Sequence, residues 1–229
     1  MSKSFINWSS GKDAMLALHT ITSTASCCVD SLVSTVDLKE QHLPLHHTPL
    51  HLIKKQADAL NRKLILINMP AHVGNHDYKE KLSSTYDMMY RKNYQYAING
   101  DIHLADVRSF KQKIINDAGL EAVFPLWKKP TIKLAHKFIN LGYKAMVVCV
   151  DLNVLDKSFC GRVFDRSFLN DLPQNLDPCG ENGEFHTFCY DGPLFDQAVS
   201  FRRLNTETIT FPVQTSDDKV QKYHLQHIK

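Results

Sequence analysis

The chain lacks most of the patterns that would place a protein quickly. Its six cysteines, Cys27, Cys28, Cys149, Cys160, Cys179 and Cys189, form no C-x-x-C pair and no framework spacing. That excludes a disulfide scaffold and makes reduced thiols the default. No H-E-x-x-H occurs, which removes the zinc-protease helix. No apolar run is long enough to span a bilayer, so no membrane association is expected. Met1-Ser2-Lys3-Ser4 leads straight into an apolar segment with no signal-peptide region, and the expected location is cytoplasmic. The charge, 27 basic against 24 acidic residues or +3, is too small to argue for nucleic acid as a partner. Clear repeats and low-complexity segments are absent. What is present is ordinary globular material, 43% hydrophobic and 22% charged. At 229 residues it suits one large domain, or one domain with a small appendage.

The most informative segment is Ser9-Ser10-Gly11-Lys12-Asp13-Ala14, just after apolar Phe5-Ile6-Asn7-Trp8. It reads as a strand, a tight turn and a helix beginning near Lys12. Such a turn presents backbone N–H groups and a lysine at a positive helix N-terminus, which suits a phosphate. Gly11 is the residue expected to take a positive φ, and Ser9 or Ser10 the residue to cap the helix. Met15, Leu16, Ala17 and Leu18 continue it. The segment is not a Walker A loop, because Ile6 stands where that pattern requires its first glycine. Taken alone, a capped helix following a strand explains it equally well.

Strand-like and helix-like segments alternate through the first half. Strands are expected at Val29–Val36, Lys63–Asn68, Tyr96–Ile98 and Ala122–Phe124. Helices are expected at Pro49–Leu60 with Thr48 as cap, at Tyr78–Tyr90 and at Ser109–Ala118. This alternation predicts an α/β fold, a parallel sheet with helices on both faces. Ligands in such sheets bind outside the carboxyl ends of the strands. The loops at Ser9–Lys12, Asp37 and Gly100-Asp101 all fall on that edge. The texture changes near Trp127-Lys128-Lys129-Pro130. Beyond it come a helix at Thr131–Leu141, strands at Ala145–Asp151 and Phe185–Tyr190, a β-rich stretch at Ser200–Phe211 and a polar tail. These form a smaller α/β appendage, with the domains drawn at residues 1–127 and 128–229.

A second chemical signal runs from Asp177 to Phe188, where Gly180 and Gly183 flank Glu181 and Asn182 ahead of a strand. If His186 lies in that strand, Glu184 and His186 share a face. A surface hairpin with solvated acids would look the same. The histidines at 42, 46, 47 and 51 invite a metal reading, but Pro44 and Pro49 break any helix that would align them. His72 and His76 around Gly74 meet the same objection, and Cys27-Cys28 reads as packing.

The Ser9–Ala14 loop resembles the S-G-G-K-D-S loop of ATP pyrophosphatases. Gly180 through Phe188, continuing through Tyr190-Asp191-Gly192-Pro193-Leu194-Phe195, resembles the signature of the diphthine–ammonia ligase family. Asn99-Gly100-Asp101-Ile102 with Arg108, Leu120 through Trp127, and Leu155-Asp156 with Phe159-Cys160-Gly161-Arg162 are similar to it as well. The likeness covers nearly the whole chain. Two departures stand out: Ser10 replaces the usual second glycine, and Ala14 the terminal serine. The resemblance implies a HUP-type (Rossmann-like) five-stranded parallel sheet that binds ATP, followed by a smaller family-specific α/β domain for the substrate. It also implies a ligase that adenylates a carboxylate, releases pyrophosphate and amidates the acyl-AMP with ammonia. The acceptor would be diphthine on an elongation factor or a small-molecule carboxylate. A nucleotide-binding regulatory module of the same fold is the alternative.

On that reading Ser9, Ser10, Gly11 and Lys12 hold phosphates, with Asp37, Gly100 and Asp101 also on the nucleotide side. Mg²⁺ accompanies ATP, and Asp13 either holds it or only favours the helix dipole. Glu181, Asn182, Gly183 and Glu184 fall to the acceptor and ammonium side, and His186 is either a base or a buried support. Arg108 offsets negative charge or forms a structural ion pair, and Trp127 is substrate platform or packing. No glutaminase apparatus and no N-terminal cysteine nucleophile are recognisable, so free ammonium is the simplest nitrogen source. A homo-oligomer is compatible with the chain, but its oligomeric state is not legible.

Overall fold

A computed structural model describes residues 2–44, 46–70, 74–212 and 220–229. Its first half is a wound α/β unit: β1 (Lys3–Asn7), α1 (Lys12–Thr24), β2 (Cys28–Val36), α2 (Leu50–Ala59), β3 (Lys63–Asn68), α3 (Asn75–Arg91), β4 (Tyr94–Ile98), α4 (Ala105–Asp117) and β5 (Glu121–Val123). The five strands pair in the order β3-β2-β1-β4-β5, all parallel. Neighbouring side chains on a strand face opposite sides, and β1 shows it directly. Phe5 joins a core with Val33, Tyr86, Met89 and Ile115, whereas Ile6 joins the other core with Met15, Leu16, Leu32 and Ile53. Both faces are thus apolar and both are covered by helices, which is what an all-parallel sheet requires.

The second half contains α5 (Thr131–Asn140), β6 (Lys144–Asp151), α6 (Arg166–Asp171), β7 (Phe185–Asp191), β8 (Arg203–Pro212) and β9 (Val220–Ile228). Its four strands form a separate antiparallel sheet in the order β7-β6-β9-β8. The polar tail expected from the sequence is in fact β9, seated between β6 and β8. Buried Tyr223 and Leu225 alternate there with Lys222 and His224, but Gln226 and Ile228 on the other face are buried as well, a pattern too diluted by polar residues to read from sequence. This half shares the Ile6-side core through Val147, Phe185 and Phe188 of the sheet, Phe138 of α5 and Phe164 ahead of α6.

Three local expectations are corrected. Thr48 does not cap α2; Pro49 occupies that position, and the Thr48 hydroxyl lies 3.1 Å from that of Ser10. Neither Ser9 nor Ser10 caps α1, whose N-cap is Gly11 without a local side-chain bond. The positive φ of the turn falls on Ser10, at 67°, while Gly11 is extended at −92°. Gly11 serves close approach instead, since a Cβ there would sit 3.1 Å from the Thr187 carbonyl.

One buried amide ties these parts together. Gln56 of α2 accepts from the Trp8 indole N–H at 3.0 Å and donates to the carbonyls of Ser10 (3.0 Å) and Cys189 (2.6 Å). Replacing it by Leu orphans the indole N–H and strips a donor from two carbonyls. Gln56→Leu is therefore expected to lower stability by roughly 2–4 kcal/mol, read from the urea midpoint; a change under about 0.5 kcal/mol would contradict this account.

Candidate active site

Two adjoining cavities open at the carboxyl ends of the parallel strands. One, of about 480 Å³, is walled mainly by apolar and aromatic side chains, among them Val33, Leu43, Ile67, Met69, Tyr78 and Tyr86. The other, of about 380 Å³, lies at the N-terminus of α1 and is polar: Lys12, Asp13, Asp101, Lys111, Glu181 and His186 face it. Asn7, Ser9, His46 and Lys111 line both. The polar cavity is closed on one side by β7. Thr187, 175 residues beyond Lys12 in sequence, accepts the Lys12 backbone N–H on its hydroxyl at 3.1 Å and so supplies the cap that α1 lacks locally.

Lys12 is only 3% exposed. Its ammonium donates to Asp13 at 2.8 Å and to the Cys179 carbonyl, and sits 5.1 Å from the centre of the Phe185 ring. Burial works against this charge, but Asp13, joined by Cys179 and Glu181, outweighs it and holds the lysine pKa above its usual value. Burial also raises the Asp13 carboxyl; Lys12 opposes that shift, and Asp177 and Asp101 add to it. Glu181 is pushed up chiefly by burial while accepting the N–H groups of Ile102 (2.7 Å) and His103 (3.2 Å). Asp101 is held by Lys111 at 2.7 and 2.9 Å. The cavity therefore concentrates acidic groups around one buried ammonium. Gly100 lets the end of β4 touch the start of α1: a Cβ there would lie 3.0 Å from the Ala14 nitrogen.

Other expected residues are placed elsewhere. Glu184, 4% exposed, turns back into its own loop and accepts from the backbone N–H groups of Asp177 (3.1 Å) and Asn182 (2.9 Å) and from the Asn182 amide (2.9 Å). It braces the loop rather than lining either cavity. Asn182 lies at the exposed rim, its Oδ1 3.4 Å from His103, whereas Gly183 lines the polar cavity. Asp37 accepts the N–H groups of Lys39 (2.9 Å) and Glu40 (3.1 Å) and organises its own turn. The Arg108 guanidinium lies over Trp127 (4.5 Å) and Phe124 (5.0 Å), away from both cavities. The Ser10 hydroxyl is buried against Thr48.

His46, Lys111 and Thr187 are site residues that the sequence did not single out. His46 drew notice only as a metal candidate, and Lys111 carries no local signal, because its pairing with Asp101 is made by the fold. The His46 ring packs tilted against that of His186, with centroids 4.5 Å apart. Burial holds both pKa values down, His186 at about 4, with Lys12 contributing in each case. His47, stacked on His42 at 4.3 Å, is also lowered to about 4 by burial. Among the described residues, His76, Asp77 and Glu80 form the one three-residue cluster of metal-ligating atoms, and all three are exposed. His51 is exposed, and His72 lies outside the described residues. No helix among them is long and apolar enough to cross a membrane.

Two stability measurements follow from this geometry. Ser10→Ala keeps the left-handed backbone and orphans Thr48, whereas Ser10→Gly relieves the backbone. Gly is therefore expected to be the more stable variant by about 1 kcal/mol; equal melting curves would sink that reading. The histidines His46, His47 and His186 take up protons in the unfolded chain near pH 6.5, but two of them only near pH 4 when folded. Their contribution is complete above pH 6.5 and is lost as pH falls from there to about 4. Asp13 and Glu181, with raised pKa values, act oppositely at the acid end. His186→Gln should flatten the decline between pH 6.5 and 4, and an unchanged slope would exclude His186 as a contributor.

The comparisons with known proteins agree with this architecture. The family model described as the diphthamide synthase N-terminal domain matches residues 2–122. That described as the diphthamide synthase C-terminal domain matches residues 130–212. No curated protein matches the chain. The first match alone covers more than half of the sequence and contains the parallel sheet and its loop, and the second contains the strand that closes the polar cavity; the chain belongs to the diphthamide synthase family.

Proposed function

We propose that the chain is an ATP-dependent ligase, similar in chemistry to diphthine–ammonia ligase, that adenylates a carboxylate and amidates it with ammonia. The observation that carries the reading is the pair of adjoining cavities: an apolar one of about 480 Å³, roomy enough for a nucleoside, shares four lining residues with a polar one at the N-terminus of α1. Adenosine fits the first lobe, and the triphosphate runs into the second. There the Ser9–Gly11 backbone and Lys12 meet negative charge at the positive end of the helix.

The chemistry requires two displacements. A carboxylate oxygen of the acceptor attacks the α-phosphorus, the α,β bond breaks and pyrophosphate leaves. Ammonia then attacks the acyl carbon, AMP leaves with the bonding pair, and the nitrogen gives up a proton. Lys12 is positioned to balance charge on the departing phosphates, and fixed charge of this kind is worth about 10²–10³ in rate. Glu181 and His186 face the same lobe and are placed to receive the proton. The donor set suits magnesium: Asp13, Asp101 and Glu181 are hard oxygen ligands around one lobe without closing into a preformed cage. Mg²⁺ entering with ATP would neutralise phosphate charge there, and Asp13 is the residue proposed to hold it. Free ammonium as nitrogen source, diphthine on an elongation factor or a small-molecule carboxylate as acceptor, and a cytoplasmic setting complete the reading.

One observation favours a second reading, a nucleotide-binding module without turnover. The Lys12 ammonium is already taken by Asp13 and the Cys179 carbonyl, and Ala14 offers no hydroxyl at the loop's end. Incubation with MgATP, ammonium and a panel of carboxylates separates the two. AMP and pyrophosphate formed in step with amide support the ligase; ADP in their place refutes adenylation; tight ATP binding without pyrophosphate release across the panel supports the module. Lys12→Ala is expected to lower AMP formation at least about 100-fold while the protein stays folded by circular dichroism.

A further inference from the structure

We propose that Lys111 binds the α-phosphate of the nucleotide, the group at which adenylation takes place, through its ammonium. The inference rests on the nucleotide reading above and gives that site a second cation beside Lys12. Among the described residues that line the two cavities, Lys12 and Lys111 are the only lysines or arginines. Lys12 lines the polar cavity alone, whereas Lys111 lines both. A nucleotide with its base in the apolar lobe and its phosphates in the polar lobe carries its sugar and first phosphate across the seam between them.

The fold sets the lysine head on the polar side of that seam. Lys111 stands on the second turn of α4, and its ammonium is fixed on the two Asp101 oxygens at 2.7 and 2.9 Å. Asp101 lines the polar cavity only. The pair is open to a ligand, since the Lys111 side chain is 30% exposed against 11% for Asp101. An ammonium carries three N–H groups and the two carboxylate oxygens take two, which leaves one for a phosphate oxygen. Paired, the two groups bring no net negative charge to the seam; Asp101 alone would repel a phosphate.

The other residues of the seam bring no charge. The Asn7 amide donates to Asn99 at 2.8 Å and its oxygen accepts from Tyr86 at 3.1 Å. The His46 ring is kept neutral by burial and is bonded to the Thr187 backbone. Ser9 offers a hydroxyl with no hydrogen bond among the described residues, a donor suited to phosphate but uncharged. In the reaction the acceptor carboxylate oxygen bonds to the α-phosphorus while the bond to the bridging oxygen breaks, and pyrophosphate leaves with the electron pair. Two anions meet at that phosphorus, and a fixed cation beside it offsets their repulsion. Lys12, confined to Asp13 and the Cys179 carbonyl at the start of α1, serves the leaving pyrophosphate. Lys111 serves the phosphoryl group that passes to the acceptor.

The test is equilibrium binding of adenosine and AMP, which differ by the α-phosphate alone, without divalent cation. The wild type is expected to bind AMP about tenfold more tightly than adenosine, as one charge-assisted hydrogen bond predicts. Lys111→Met should erase that preference with adenosine binding unchanged, and Lys111→Arg should keep most of it. The double variant Lys111→Met/Asp101→Asn separates contact from repulsion. A preference still absent there supports the contact; a preference restored means that the single variant only unmasked Asp101, which overturns the proposal. Equal binding of the two ligands by the wild type overturns it too. So does a preference that survives Lys111→Met, and its loss in Ser9→Ala then assigns the contact to Ser9. The double variant, with no unpaired charge, decides the matter if Lys111→Met does not fold. If the wild type binds neither adenosine, AMP nor MgATP, the nucleotide reading itself fails, a result distinct from loss of the AMP preference.

Discussion

The structure depends on the seating of β7 upon the turn between β1 and α1. The Ser10 carbonyl accepts the Cys189 N–H at 2.9 Å and the Gln56 amide at 3.0 Å, and the Thr187 hydroxyl takes the first free N–H of α1. Two segments far from it in sequence, β7 and α2, thus satisfy the backbone of one four-residue turn. A buried turn must have its polar groups paired, because each unmet group costs as much as a sizeable part of the net stability. The left-handed backbone at Ser10 persists for the same reason: its hydroxyl, its carbonyl and its neighbours are all held.

That seating also sets the electrostatics. With β7 in place, Lys12 is removed from water and its ammonium is confined to Asp13 and the Cys179 carbonyl. The same layer brings Glu181 onto the N–H groups of Ile102 and His103, so the glycine-rich loop of the second half docks on the β4–α4 turn of the first. A polar lobe assembled from both halves then adjoins an apolar lobe built within the first half, from the parallel sheet, α3, the β2–α2 loop and Lys111 of α4. The ligand chemistry proposed for the chain needs both.

Most of the fold was legible because its signals are local and strong. The runs from Val29 to Val36 and from Lys63 to Asn68 are short, apolar and β-branched, and α1 follows a small-residue turn; each match between expectation and structure rests on such a run. The Ser9–Lys12 turn and Gly100-Asp101 were legible as parts of one edge because strand ends in a parallel sheet share it, whereas Glu181, Gly183 and His186 were expected beside them only through the family resemblance. β9 was not, since its apolar positions are separated by lysine, histidine and glutamine and gain meaning only when paired with β6 and β8. Glu184 was assigned to the ligand side because acids in a glycine-rich loop look alike in sequence; which of them turns inward is decided by the hydrogen bonds available to each.

The sequence by itself determined the alternating α/β plan, the ligand edge of the sheet, the phosphate-type loop and the likeness to one family. All of these are carried by residue types at short spacing. Only the tertiary structure decided which residues share the cavity. Thr187 caps Lys12 and His46 packs against His186 across separations of more than a hundred residues. Lys111 meets Asp101 because the second turn of α4 comes back over the end of β4. The strain at Ser10 belongs to the same class: any serine tolerates a left-handed backbone only where several partners, brought together by the fold, hold it there.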